Sequence, residues 1–474
     1  MNKIVIIVFL SLLSCSSAQQ DVTQKNILLL CIDDLRPELA SFGANYIHSP
    51  NIDELAQKGS AFLNHYVNSP SCGPSRYTLL TGTYGKAGND AIFKRAEKII
   101  AGESSVTPSM PEYFRNHGYT TISIGKISHH PGGLGGDNLN DPNVIEMPNA
   151  WTKSIMPVAE WEHPRGAMHG LAHGEIRGAR GTMNVFQAAH GSDTIYPDGH
   201  IANEAISEIE QLSKSKKPFF LAVGLIKPHL PFGAPKQYYD LYEDVEIPPI
   251  PVPEKPTHPS TWHKSGEFFQ YNTWKKDPRD NVDFAQEVRK HYAACVSYAD
   301  AQVGKIIQKL RKTGLDKNTI IVLWGDHGWN LGDHNIWGKH NLFEEALHSP
   351  LIILDPSMDA KKASNAIVET TDIFPTLCEL SNLTIPEFAN GLSLKPLMKD
   401  PSIQGHPAYS YNSKAKSIRT ENYHLIQHKD DYYELYNHES DPHETNNIAE
   451  SYPEIVKKLS LLIKEKALIQ RKNG

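Results

Sequence analysis

Ile27-Leu28-Leu29-Leu30-Cys31-Ile32, followed at once by Asp33-Asp34, is an unbroken apolar run that ends in two carboxylates. A run that does not alternate reads as a strand buried on both faces. The pattern returns at Tyr119 to Ile124 before Gly125-Lys126, at Phe219 to Val223 before Lys227-Pro228-His229, and at Thr319 to Trp324 before Gly325-Asp326-His327. Helical patterns separate these runs. In one of them Val288, Tyr292, Cys295, Ala299, Val303, Ile306 and Leu310 keep a period of about 3.6 residues, and Gly314 stops the helix. Strands alternating with helices predict an α/β fold with a mostly parallel central sheet flanked by helices. In such sheets ligands sit beyond the carboxyl ends of the strands, so four polar strand ends point to one site.

The 474 residues are 39% apolar and 21% charged, which suits a chain with a real core and excludes a disordered one. A net charge of −7 argues against a nucleic-acid partner, which would require a field of Lys and Arg. Any anionic ligand must then be held by a local cluster of cations. At the amino terminus, Lys3 and the apolar run Ile4 to Leu13 form a secretion signal too short to span a bilayer. It ends in Leu12-Leu13-Ser14-Cys15, which resembles a bacterial lipobox with Cys15 as the lipidated residue; cleavage near Ser16-Ser17-Ala18 is the alternative. Export follows in either case, to the bacterial periplasm, to the outer membrane as a lipoprotein, or to the medium. Membrane contact is expected only through a lipid at Cys15. We divide the chain into a signal segment (1–20), a large α/β domain (21–404) that carries the strand-end site, and a small C-terminal α+β subdomain (405–474).

Within the large domain two stretches resist regular assignment. Pro131 to Gly199 is rich in Gly and His, and Lys227 to Pro278 holds ten prolines. Loops this long are expected to shape the rim of a pocket; Trp262, His263 and Trp274 in the second are candidates to stack on a sugar or to sit in the core. In the tail, Ser417 to Thr420, Tyr423 to Gln427 and Tyr432 to Tyr436 predict a small antiparallel sheet. An amphipathic helix carrying Ile455, Leu459, Leu462 and Ile463 on one face then closes the chain. Apart from Cys15 there are cysteines at 31, 72, 295 and 378. Two disulfides are arithmetically open to an exported protein, but Cys31, Cys295 and Cys378 read as core thiols. Cys72 does not.

Ser71-Cys72-Gly73-Pro74-Ser75-Arg76, with Thr81-Gly82 downstream, contains C-x-P-S-R followed by T-G. Here the chain resembles the sulfatase family, which shares the alkaline-phosphatase-like fold. The resemblance extends from about Asn26 into the C-terminal region and takes in Asp33-Asp34, Gly125-Lys126, Lys227-Pro228-His229, Gly325-Asp326-His327 and Lys339. Arg36-Pro37, Lys227-Pro228-His229-Leu230-Pro231-Phe232 and His at 327, where many sulfatases have Asn, are most similar to the iduronate-2-sulfatase branch.

The resemblance implies that a maturase oxidises Cys72 to Cα-formylglycine, whose hydrate attacks sulfur with one hydroxyl and expels sulfate with the other. It implies one Ca²⁺ held by Asp33, Asp34, residue 72, Asp326 and His327. Hard carboxylate oxygens suit that ion, and His327 is the departure, with a role beside the ligands as the alternative. Arg76 would bind the diol oxygens or the metal-bound carboxylates. Lys126, His229 and Lys339 would hold sulfate and help the leaving group depart, and His129 would orient or deprotonate the nucleophile. His130 competes for that last role by its adjacency to Pro131-Gly132. Lys227 either faces the substrate or serves only to present His229.

The expected reaction is removal of sulfate from a sulfated oligosaccharide, exo-acting, on a terminal sugar such as a 2-sulfated uronic acid. The alternatives are a phosphatase or phosphodiesterase of the same superfamily, generally a two-zinc enzyme with a Ser or Thr nucleophile, and a lipid-anchored sulfated-glycan-binding protein in which Cys72 is never matured.

Overall fold

A computed structural model describes residues 24–359 and 363–473. The signal segment and Cys15 lie outside the described residues. The central sheet has eight strands: β1 (Asn26–Ile32), β2 (Ser60–Tyr66), β3 (Thr120–Gly125), β4 (Lys153–Ile155), β5 (Phe219–Leu225), β6 (Thr319–Gly325), β7 (Leu351–Leu354) and β8 (Ser364–Glu369). Their spatial order is β8-β2-β7-β6-β1-β5-β3-β4. Only β7 runs against the others, pairing antiparallel with β6 and with β2. The four strands expected from sequence are β1, β3, β5 and β6, and they lie side by side at the centre.

Every residue of β1, β5 and β6 is buried, as continuous apolar runs require. Alternation along β1 divides two cores. Leu28, Leu30 and Ile32 pack with Val288, Tyr292 and Cys295 of the long helix Val282–Lys312. Ile27, Leu29 and Cys31 face the other layer, with Leu79, Leu80, Phe374 and Leu377. Cys31, Cys72, Cys295 and Cys378 are free thiols, all buried. The three core readings therefore hold.

A second sheet, β9 (Ala408–Tyr411), β10 (Ala415–Arg419), β11 (Tyr423–His428) and β12 (Tyr433–Asn437), is antiparallel throughout. Its first strand was not expected; the other three match the sequence reading within a residue or two. The helix Pro453–Asn473 lays Leu459 and Ile463 against Ile418, Leu425 and Leu435 of this sheet. Among the described residues no helix is long and apolar enough to cross a membrane.

Candidate active site

Because β1, β2, β3, β5 and β6 run the same way, the segments that follow them converge at one edge of the sheet. Asp33-Asp34 follow β1, Lys126 follows β3, Lys227-Pro228-His229 follow β5, and Asp326-His327 follow β6. The chain leaving β2 enters the helix Cys72–Thr81, whose ten residues are all buried. Cys72 stands at its first position and Arg76 one turn on, so both side chains look toward the strand ends. Two glycines allow β3 and β5 to close on one another here. A Cβ at Gly224 would lie 2.0 Å from the Lys126 carbonyl oxygen, and Gly125 has φ +75°.

Around Cys72 Sγ stand His327 Nε2 at 3.3 Å, Lys339 Nζ at 3.3 Å, Asp33 Oδ1 at 3.5 Å and Lys126 Nζ at 3.8 Å. Arg76 Nε donates to Asp326 Oδ2 at 3.0 Å and Nη2 to Asp33 Oδ1 at 3.3 Å. Lys126 pairs with Asp33, and Lys339 Nζ donates to Asp34 Oδ1 at 2.7 Å. Three carboxylates thus face three cations in a space closed to solvent.

The balance among them is uneven. Burial alone would raise the Asp33 carboxyl, but the charges of Lys126 and Arg76 outweigh it and hold the group well below the usual range. Burial and the neighbouring Asp33 charge push Asp326 up to about 7, and burial lifts Asp34 well above its ordinary value despite Lys339. Such crowding favours a further cation, and one donor is left free for it: Asp34 Oδ2 is buried with no hydrogen-bond partner. Ligand atoms of Asp33, Cys72, Asp326 and His327 all lie within 4.8 Å of one another, as do those of Asp33, Asp34, Cys72 and His229. The donor set fits a hard divalent ion.

The imidazoles are neutral. Burial, reinforced by the nearby lysines, holds His229 and His327 well below their ordinary value. His327 Nδ1 lies 3.0 Å from the Gly328 carbonyl, and His229 Nδ1 lies 2.7 Å from that of Leu230. Those carbonyls take the Nδ1 protons and leave each Nε2 with a lone pair, His327 toward the cluster and His229 toward the cavity. The thiol of Cys72 is raised well above its ordinary value by burial and by Asp33, so as a plain cysteine it is a poor nucleophile.

Above this floor opens a cavity of about 620 Å³, lined by Cys72, His129, His130, His229 and Lys339. His129 and His130 both reach it, their rings 4.8 Å apart, each with an unpartnered buried Nδ1. Lys227 does not. Its ammonium donates to the carbonyls of His229, at 3.3 Å, and Pro231, at 2.6 Å, bracing the loop that presents His229. The two long irregular stretches form the rim, contributing Arg165, His169 and Arg177 from one and His263, Glu267 and Gln270 from the other. Trp262 instead hydrogen-bonds the His334 carbonyl, and Trp274 stands against Phe186.

Sequence reasoning missed Asn89, Arg165, His169, Arg177, Glu267 and Gln270. Asn89 Oδ1 accepts from Ser71 Oγ at 2.8 Å and from the Gly73 amide at 3.2 Å, fixing the entry to the Cys72 helix. Glu267 Oε1 lies 3.5 Å from His229 Nε2 and 3.7 Å from Lys339 Nζ. Neither residue belongs to a periodic pattern or a motif that would have marked it.

The sulfatase family model matches residues 25–383, and that for the C-terminal region of N-sulphoglucosamine sulphohydrolase matches 332–469. A sulfatase of Formosa agariphila is 31% identical, the match covering 93% of this chain and 87% of that one. Iduronate 2-sulfatase of Homo sapiens is 32% identical, covering 76% of this chain and 70% of that one. A solved structure in complex with its substrate D-glucosamine-2-N,6-O-disulfate superposes with a TM-score of 0.71 at 21% identity, over 95% of this chain and 99% of that one. Phosphonate monoester hydrolase of Agrobacterium radiobacter superposes with a TM-score of 0.72 at 21% identity, over 94% and 96%. These last two likenesses are of fold.

Proposed function

The chain belongs to the sulfatase family, and we propose that it removes sulfate from sulfated oligosaccharides, exo-acting on a terminal sugar such as a 2-sulfated uronic acid. The observation that carries the reading is the ring of groups around position 72. A residue ringed by two lysines, a neutral histidine and a carboxylate at the floor of the cavity is placed to attack an anionic centre whose oxygens those lysines receive. A maturase would convert Cys72 to formylglycine, which supplies the nucleophilic hydroxyl that a buried thiol does not. Asp33, Asp34, Asp326 and His327 would hold Ca²⁺, which supplies positive charge for the sulfate oxygens and the nucleophile.

The protein groups have separable tasks. Arg76 keeps Asp33 and Asp326 in place, with guanidinium bonds to both. Lys126 and Lys339 present ammonium groups to the incoming oxyanion from two sides of residue 72. His229 presents its Nε2 to the cavity with Glu267 beside it, and it would have to take up a proton at that atom before passing one to the leaving oxygen. Either His129 or His130 takes the proton of the attacking hydroxyl. Three carboxylates balance three cations, so one divalent ion would leave the floor positive toward an anionic ester.

Export is part of the proposal, with a lipid at Cys15 or cleavage just beyond it. The deciding experiment is a screen of defined sulfated mono- and disaccharides, with a phosphate ester alongside, using protein matured in a competent host. Sulfate release by the wild type and none by Cys72→Ala or Cys72→Ser, with the circular dichroism unchanged, is the expected result. Release undiminished in either variant would remove residue 72 from the reaction. Two zinc ions per chain with phosphate release would favour the phosphatase alternative, and tight sugar binding without turnover the binding-protein one.

A further inference from the structure

Beside the Cys72 cavity lies a second chamber of about 340 Å³, and the two share Arg165, His169, Arg177 and Gln270 as walls. The far side is closed by Asn138, His163 and Arg180. Three guanidinium groups therefore face one small space. None of the three forms an ion pair with a carboxylate among the described residues. Arg180 donates only to the Phe269 carbonyl, at 3.3 Å, and Arg177 only to the Tyr271 hydroxyl, at 3.2 Å.

Arg177 is not a freely solvated side chain. It is half-buried, with its guanidinium 5.6 Å from the centre of the Tyr271 ring. Tyr271 OH lies 3.3 Å from His169 Nδ1 and 3.4 Å from the Leu230 carbonyl, within the loop that carries His229. The arginine is thereby braced against the same loop that serves the reacting group. Burial, and then the fields of Arg177, Lys126, Lys227 and Arg165, hold His169 well below its ordinary value, and among the described residues no acidic side chain lines the chamber.

We propose that this chamber is a subsite for a second oxyanion, a carboxylate or a further sulfate, on the sugar adjoining the one that loses sulfate. The inference rests on the sulfatase reading and narrows its substrate to oligosaccharides charged on at least two neighbouring units. Guanidinium groups bind such oxyanions through paired hydrogen bonds, and a partly enclosed setting strengthens them.

Calorimetry on Cys72→Ala protein, which needs no maturation, tests this with three disaccharides of one backbone. The first carries a sulfate on its terminal unit and a uronate carboxylate on the adjoining unit, the second is its carboxyl-reduced form, and the third is that reduced form with a further sulfate on the adjoining unit. In the parent, the first or third should bind at least about tenfold more tightly than the second, and which one does so identifies the oxyanion. In Arg165→Ala/Arg177→Ala that advantage should shrink to about twofold or less. Arg165 and Arg180 are exposed, so Arg165→Ala/Arg180→Ala carries the test if loss of Arg177 disturbs folding. An advantage that survives the double substitution, an equal loss for all three ligands, or no advantage in the parent overturns the subsite. Aryl sulfate turnover by the matured wild type checks the sulfatase reading separately.

Discussion

Arg76 is buried beneath the cavity and Arg177 stands on its rim, and the two live by opposite rules. Arg76 is sealed on the floor between Asp33 and Asp326, and every charge near it has a partner of the other sign. Arg177 stands on the rim against a tyrosine, with no carboxylate to answer it. The floor is a preformed device whose charges hold one another at fixed positions, and the rim keeps charge unspent for whatever arrives. Under the proposed function, reaction type would fall to the strand ends and substrate choice to the loops.

The contrast breaks most visibly if the floor tolerates an unpaired charge. Arg76→Ala strands Asp326 in a dry interior and leaves Asp33 to Lys126 alone, and should cost about 3–5 kcal/mol in chemical denaturation. A loss under about 1 kcal/mol would mean that water enters the floor. The two buried lysines sharpen the boundary between floor and rim. Lys126→Met should lower kcat/KM by about 10²–10³-fold, because its ammonium faces residue 72. Lys227→Met, which removes only a brace to backbone carbonyls, should cost about tenfold or less. Equal losses would return Lys227 to the substrate.

A pair intermediate between these extremes lies at the seam between the two sheets. His406 Nε2 lies 2.8 Å from Asp372, and that carboxylate raises the imidazole to about 9 against the opposing effect of burial. A group raised on folding stabilises fully below its unfolded pKa, about 6.5, and loses that contribution as pH rises through the folded value. Stability should therefore fall by on the order of 2 kcal/mol from pH 6.5 to above 9, and His406→Gln should flatten that part of the profile. The smallest effect is expected at Trp274, which is 43% exposed and turned from the cavity. Trp274→Ala should change stability by about 1 kcal/mol or less and turnover by less than about twofold.

How far each region can be read from sequence follows the same division. Asp33, Lys126 and Asp326 are legible because a strand buried on both faces tolerates no charged residue, so the first charge marks its end. Cys72 and Arg76 are legible through a compact motif whose four-residue spacing is one helical turn. Lys227 is not, since a lysine after a strand looks the same whether it turns to substrate or to its own loop; the carbonyls of His229 and Pro231 decide that in three dimensions. His129 and His130 both reach the cavity, so neighbouring positions in sequence could not be separated by spacing. The rim is least legible. Glu267, Arg165 and Arg177 come from segments without periodicity, brought together by contacts such as Gly181 N to the Gln270 carbonyl. The first strand of the C-terminal sheet, Ala408–Tyr411, is only four residues long, too short for its alternation to register beside the longer runs that follow.

If residue 72 is matured as proposed, the burial of its helix sets an order of events in biosynthesis. Cys72 is only 4% exposed and its helix is covered along all ten residues, so no second protein can grip that segment once the sheet has closed over it. Any enzyme that edits the thiol has to meet an extended polypeptide, during or just after synthesis, and a chain that folds first stays permanently unedited.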